Sequence, residues 1–192
     1  PGQDLRYEQE KVESSWNYIN KLWNISRFDQ MNLSDETVES LSLDNHNLNE
    51  IDKWIITRLN ETIVSMDQFY DRFEFGEAAK LLYNFTWNDF ASWYVEMAKL
   101  SLESQSTKAG LVHVLTSIIQ LLHPFMQFVT EEIYQLIPHQ SASICVSKWP
   151  TVVEVEKPNT EALEVVFEVI RKVRTARNDN NVPLSKPIDI IL

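Results

Sequence analysis

Cysteine occurs once in 192 residues, at position 145, so no internal disulfide framework can form, and a lone thiol suits a reducing cytoplasm. Three glycines and seven prolines are few for the tight turns of a many-stranded sheet and suit helices better. No apolar run is long enough to span a bilayer, and no signal-peptide pattern occurs, so no membrane partner is expected. There is no glycine-rich phosphate loop and no nucleophile elbow. The four histidines, at 46, 113, 123 and 139, have no metal-ligand spacing among themselves or with Cys145. The sequence therefore predicts no catalytic set, no metal and no cofactor of its own. Positive charge is scarce too: the net charge of −11 argues against a general nucleic-acid binder, DNA included.

What is present is apolar residues, 44% of the chain, with 11% aromatic, ample for the core of one domain or one domain with a small appendage. The charge is uneven. Residues 1–28 carry four acids and four bases, residues 29–165 carry 21 acids against eight bases, and residues 166–192 carry three acids and five bases. A protein that touches RNA through its two ends has this distribution, and so do proteins that touch none.

Periodicity divides the chain into helices. A lead-in precedes a first helix over about 9–28. Residues 29–49 read as an acidic loop with room for one helical turn. Asn49 and Asp52 have capping spacing before a second helix that turns Ile51, Trp54, Ile55, Leu59, Thr62 and Met66 inward. Gly76 punctuates. A third helix over 77–100 turns Ala78, Leu81, Leu82, Phe85, Phe90, Trp93, Tyr94 and Met97 inward, so the aromatics of WNDFASWY (87–94) read as core. A fourth helix covers 108–122, and Pro124 disfavours helical geometry at His123, so a break separates it from a helix ending near 137. Residues 138–158 read as loop with an extended run at 143–146, and a last helix spans 160–178. The fold expected is all-α: an antiparallel helical bundle over 1–157, then 158–192 with the last helix and a short C-terminal extended segment. Both ends read as cut. There is no initiator Met, and the extended run 187–192 has nothing to pair with.

The first helix carries the most information. On 3.6 residues per turn, Asn17, Asn20, Lys21, Asn24, Arg27 and Phe28 fall within about 120°. Tyr18, Ile19, Leu22, Trp23 and Ile25 cover the other side. Solvated faces are usually Glu, Lys and Gln, whereas asparagine is a poorer helix former because its short amide competes for backbone hydrogen bonds. Amides that donate and accept, beside a flat aromatic ring, are the groups that read base edges and stack on unpaired bases. A polar helix face with one semi-exposed Phe accounts for the same pattern.

Three further features stand out. Arg171, Arg174 and Arg177 cluster on the last helix, where phosphate contact and capping of the helix dipole are both open readings. Arg58 and Asp89 each interrupt an apolar stripe, so a buried ion pair between the second and third helices is expected. The neighbouring acids Glu131 and Glu132 point in different directions on a helix and read as solvated surface.

Together these stretches resemble the anticodon-binding helical domain of the class I aminoacyl-tRNA synthetases and, within that class, the valyl family. The residues that carry the resemblance are GQDLR (2–6), NKLWNISRF (20–28), DKWI (52–55) with RLN (58–60), FGEA (75–78), WNDFASWYVEMAK (87–99), LLHPFMQFVTEEIY (121–134) and Trp149-Pro150. The histidine–proline stretch belongs to the valine, isoleucine and leucine group in common. The combination of NKLWN with WNDFASWYVEMAK is similar to the valyl members. Gln127 and Tyr134 depart from the family's Pro and Trp. The resemblance implies a domain that grips the anticodon stem–loop of tRNA(Val), with Asn20, Lys21, Asn24, Arg27 and Phe28 on the anticodon by matching motif and Asn17 added on geometry alone. It implies a parent enzyme of the cytoplasm that joins valine to tRNA with ATP. The catalytic domain, which holds the ATP-binding motifs, and the editing domain are absent from this stretch. The trailing strand would open a small α/β segment. A helical protein-interaction module without RNA, and the equivalent domain of the isoleucyl family, are the alternatives.

Overall fold

Helix starts and stops follow local chemistry. In the computed structural model, which describes residues 8–33, 36–43, 47–183 and 186, the first helix α1 spans Gln9–Leu33. It continues past Phe28, the end expected from the sequence. Its inward residues Tyr18, Leu22, Ile25, Ser26, Asp29 and Leu33 keep helical spacing throughout, and Leu33 closes on Leu41 and Val112. Of the lead-in expected over 1–8, residues 1–7 lie outside the described residues, as do His46 and the extended run 187–192.

Helix α2 (Glu50–Asp71) opens with the expected capping box. The Asn49 side-chain oxygen accepts from the N–H groups of Ile51 (3.0 Å) and Asp52 (2.9 Å), and Asp52 accepts in return from the Asn49 N–H (3.4 Å). The expected third helix is three joined pieces: α3 (Phe75–Asn84), a π-helical segment (Phe85–Tyr94) and α4 (Val95–Ala98). The widened register shows in two bonds that reach back five residues, from Val95 N–H to the Phe90 carbonyl and from Ser92 Oγ to the Trp87 carbonyl (2.7 Å). Sequence periodicity at 3.6 does not distinguish such a segment from an ordinary helix.

Helix α5 (Gln105–Leu122) is the centre of the bundle, with Ala109, Leu111, Val114, Leu115, Ile118, Ile119 and Leu121 fully buried. It packs on α1, α2, α3, α4 and α6, and α1 also packs on the π segment and α6. Gly110 is required here, because a Cβ at that position would collide with the hydroxyl of Tyr94. The break at His123-Pro124 is present, and α6 follows over Gln127–Leu136. The expected extended run at 143–146 is instead a 3₁₀ turn, Ile144–Val146. Its Ser143 Oγ accepts from Cys145 N–H (3.1 Å), and Glu131 accepts from Ser143 Oγ (2.8 Å) and Ile144 N–H (3.1 Å). Glu131 is thus a clamp for the turn, and not a free surface acid. Hydrogen bonds from Gln135 and Ser143 hold its carboxyl below the usual range.

The expected Arg58–Asp89 pair forms, but it is not buried. Arg58 Nε meets Asp89 Oδ2 at 3.1 Å, and the two side chains are 47% and 21% exposed. Arg58 also binds Glu61, so water and a second acid share the charge. The buried polar pair of the bundle is a different one: Tyr94 OH donates to Asp52 Oδ1 at 2.8 Å, with both residues all but inaccessible.

The chain divides into two compact units, Pro1–Lys157 and Pro158–Leu192. The second holds α7 (Thr160–Asp179), capped by the Asn159 side chain accepting from Ala162 N–H (3.2 Å). It ends with Asn181 at φ 51, a left-handed position that asparagine tolerates, and Val182 N–H closes on the Arg177 carbonyl (2.8 Å). Among the described residues there is no β-strand, and no helix is long and apolar enough to cross a membrane.

Candidate nucleic-acid interface

The outer face of α1 is where unspent polar groups collect. Asn17, Asn20, Asn24 and Arg27 are exposed, while Lys21 and Phe28 are half-buried. Among the described residues, no side-chain partner engages any of the three asparagines or Arg27. Asparagine gives up helix propensity, and no bond among the described residues offsets that loss here. The two half-buried members reach neighbouring elements. Lys21 Nζ lies 5.9 Å from the Trp87 ring centroid, and Lys99 Nζ lies 5.8 Å from that of Phe28. Trp87 stacks on Tyr83 (5.9 Å, interplanar angle 7°), and Tyr83 contacts Tyr18 of α1 (4.8 Å). Trp87, expected in the core, is therefore half-exposed beside the stripe.

Directly behind the stripe lies a group that the sequence pattern did not single out. Asp29 follows Phe28, points inward and is fully buried, and its carboxyl has no hydrogen-bond partner among the described residues. Burial pushes its pKa up to about 8, so it is mostly protonated at neutral pH. The signal available was its spacing, four residues after Ile25 and four before Leu33, on the apolar stripe.

The basic cluster on α7 is split. Arg171 and Arg174 are exposed. Arg177 is half-buried, and its Nη2 donates to the carbonyls of Pro183 and Lys186 (2.7 Å to the latter), so it holds the chain beyond the helix end. One histidine, His123, comes closer to Cys145 than sequence spacing implied. His123 Nε2 lies 3.2 Å from its sulfur and Nδ1 lies 2.7 Å from Thr130 Oγ1. Still, no group of three or more metal-ligating side chains occurs among the described residues. Burial pushes the pKa of His113 down to about 4, which leaves it neutral.

This geometry can be set beside known proteins. A family described as the anticodon-binding domain of tRNA ligase matches residues 52–192, well over half of the chain. The chain belongs to this family. Members of the anticodon-binding family most similar to it include the valine–tRNA ligase of Bacillus subtilis (strain 168), 49% identical over 201 residues that take in all of this chain. Those of Listeria monocytogenes (48% over 197 residues, 98% of the chain) and Enterococcus faecalis (46% over 200 residues, the whole chain) are similar to it as well. The chain spans 22–23% of the length of these relatives. The family match begins at Asp52, after α1, whereas the similarity to the valine–tRNA ligases runs through α1 and its stripe.

Proposed function

We propose that this chain is the part of a valine–tRNA ligase that holds the anticodon stem–loop of tRNA(Val). The parent enzyme would attach valine to that tRNA with ATP in the cytoplasm, through catalytic and editing domains that lie outside this stretch and pack with it in the same polypeptide. No residue here serves ATP or acyl transfer, and no cofactor is assigned to this stretch. The observation that carries the reading is the α1 face: three exposed asparagines without partners among the described residues, two cations and Phe28 on one stripe. Amides and a ring suit bases, and the cations suit the backbone, so Asn17, Asn20, Asn24 and Phe28 are assigned to base contact and Lys21 and Arg27 to phosphate. Arg171 and Arg174 are assigned to further phosphates. Arg177 can join them only by leaving the carbonyls it now holds.

The test is a binding titration of the anticodon stem–loops of tRNA(Val) and tRNA(Ile) against the chain and two variants. The valine loop should bind more tightly. Asn24→Ala should lose most of that preference, whereas Lys21→Ala should weaken both loops about equally. Tighter binding of the isoleucine loop by the parent would point to the isoleucyl alternative, and equal binding of the two loops to contact with phosphates only. No binding of either would leave the protein-interaction reading.

A further inference from the structure

The Lys21–Phe28 side of the stripe borders the π segment, on which α1 packs, and the end of α4. Across that border Trp87 is half-exposed and Lys99 is exposed. Two aromatic rings there are arranged alike. Each is half-buried, and a lysine ammonium from the other side of the border sits over it: Lys21 of α1 over Trp87 at 5.9 Å, and Lys99, just past α4, over Phe28 at 5.8 Å. Trp87 is backed by Tyr83 in parallel stacking, and Tyr83 by Tyr18, so its ring is held against a stack of aromatics. The π register contributes to this, because Ser92 Oγ bonds the Trp87 carbonyl from five residues on and fixes the backbone there.

We propose that Trp87 and Phe28 are two separate nucleobase platforms, each covered in the free protein by a lysine ammonium that moves to an RNA phosphate when a base takes the ring. The proposal rests on the reading of α1 as the anticodon-contacting helix. It adds the neighbouring π segment and the end of α4, a second platform and the exchange. A cation over an exposed ring is held weakly, and lysine carries its charge on a flexible stem. The Lys99 ammonium also bonds Glu96 (2.8 Å), with both side chains close to half exposed, so that pair is screened and easily left. A nucleotide brings both replacements at once: a base for the ring and, beside it, a phosphate for the ammonium.

The test uses a fluorescently labelled anticodon stem–loop of tRNA(Val), titrated by anisotropy at several salt concentrations. The proteins are the parent, Trp87→Ala, Trp87→Phe, Lys99→Gln and Phe28→Ala, with circular dichroism run on each. Trp87→Ala should weaken binding about tenfold, and Trp87→Phe by much less, since it keeps a ring. Lys99→Gln lies on the surface and leaves the fold alone. It should reduce the slope of log affinity against log salt by about 0.7, the loss of one phosphate contact on a single strand. If Trp87→Ala does not fold, the Lys99→Gln slope decides. Should Phe28→Ala weaken binding while the Trp87 and Lys99 variants keep the parent's affinity and slope, this proposal falls and the α1 reading stands. Should Phe28→Ala bind like the parent, or the parent not bind at all, the α1 reading falls and takes this proposal with it.

Discussion

Asn49 and Asn24 carry the same side chain and are used in opposite ways. Asn49 sits at the start of α2, where its oxygen takes two backbone N–H groups and its amide nitrogen reaches Thr107 Oγ1 at 3.3 Å. Its partner in the capping box, Asp52, is buried and accepts from Tyr94. Asn60 is used in the same way, pairing both ends of its amide with the backbone of Val153 (2.7 and 3.0 Å). Asn24 sits on the outer face of α1, exposed and without a partner among the described residues. Polar groups in the first region hold the fold together, and those in the second are exposed and without partners among the described residues. Substitutions in the two regions should therefore separate stability from binding.

The largest loss of stability is expected in the buried network. Asp52→Ala removes half of the capping box and leaves the buried Tyr94 hydroxyl with only its long contact to the Thr107 carbonyl (3.5 Å), so unfolding in urea should show a loss of about 2–4 kcal/mol. If the loss stays below about 1 kcal/mol, the network contributes little and the contrast weakens.

Asp29 sharpens the contrast from within α1, because it is the buried neighbour of the stripe. Its folded pKa, pushed up to about 8, lies above the unfolded value of 3.8. Folding therefore takes up a proton, and the stability linked to this group is greatest at acid pH and is lost as pH rises from about 4 through 8. Between pH 5 and pH 7 the parent should lose about 2–3 kcal/mol relative to Asp29→Asn, which does not titrate there. Urea midpoints of the two proteins at both pH values measure this directly, and a constant difference between them contradicts it.

The surface pair comes next. Arg58→Ala should cost about 1 kcal/mol or less, because Arg58 is nearly half exposed and Glu61 competes with Asp89 for it. A loss of several kcal/mol would mean that the pair behaves as a buried one, as its sequence position suggested.

That pair shows what the sequence carries and what it hides. The spacing of Arg58 and Asp89 against the apolar residues placed them correctly on facing helices, but periodicity does not say how much water reaches a helix edge. The capping box at Asn49, the break at Pro124 and the helical bundle were legible because each depends on residues within a few positions. The π register over 85–94, the 3₁₀ turn at 144–146 and the Glu131 clamp depend on contacts between distant segments, which no local pattern records. In the candidate interface, the face shared by the α1 residues followed from helix geometry alone. The neighbouring Trp87 and Lys99 did not, because their place beside it needs the packing of α1 on the π segment. Asp29 was legible in position, yet one acid at a buried spacing looks locally like any helical acid.

The smallest effects on stability are expected on the α1 stripe, and the largest on RNA binding. Alanine is a better helix former than phenylalanine, and Phe28 is only half buried, so Phe28→Ala should keep the parent's helicity and shift the urea midpoint little. The most direct measurement is therefore a titration of the anticodon stem–loop of tRNA(Val) with the parent and Phe28→Ala, with circular dichroism and urea unfolding on the same samples. The account predicts that Phe28→Ala binds about tenfold more weakly or worse while the fold is retained, since one base loses its stacking partner. A folded Phe28→Ala variant that binds the loop as tightly as the parent contradicts it.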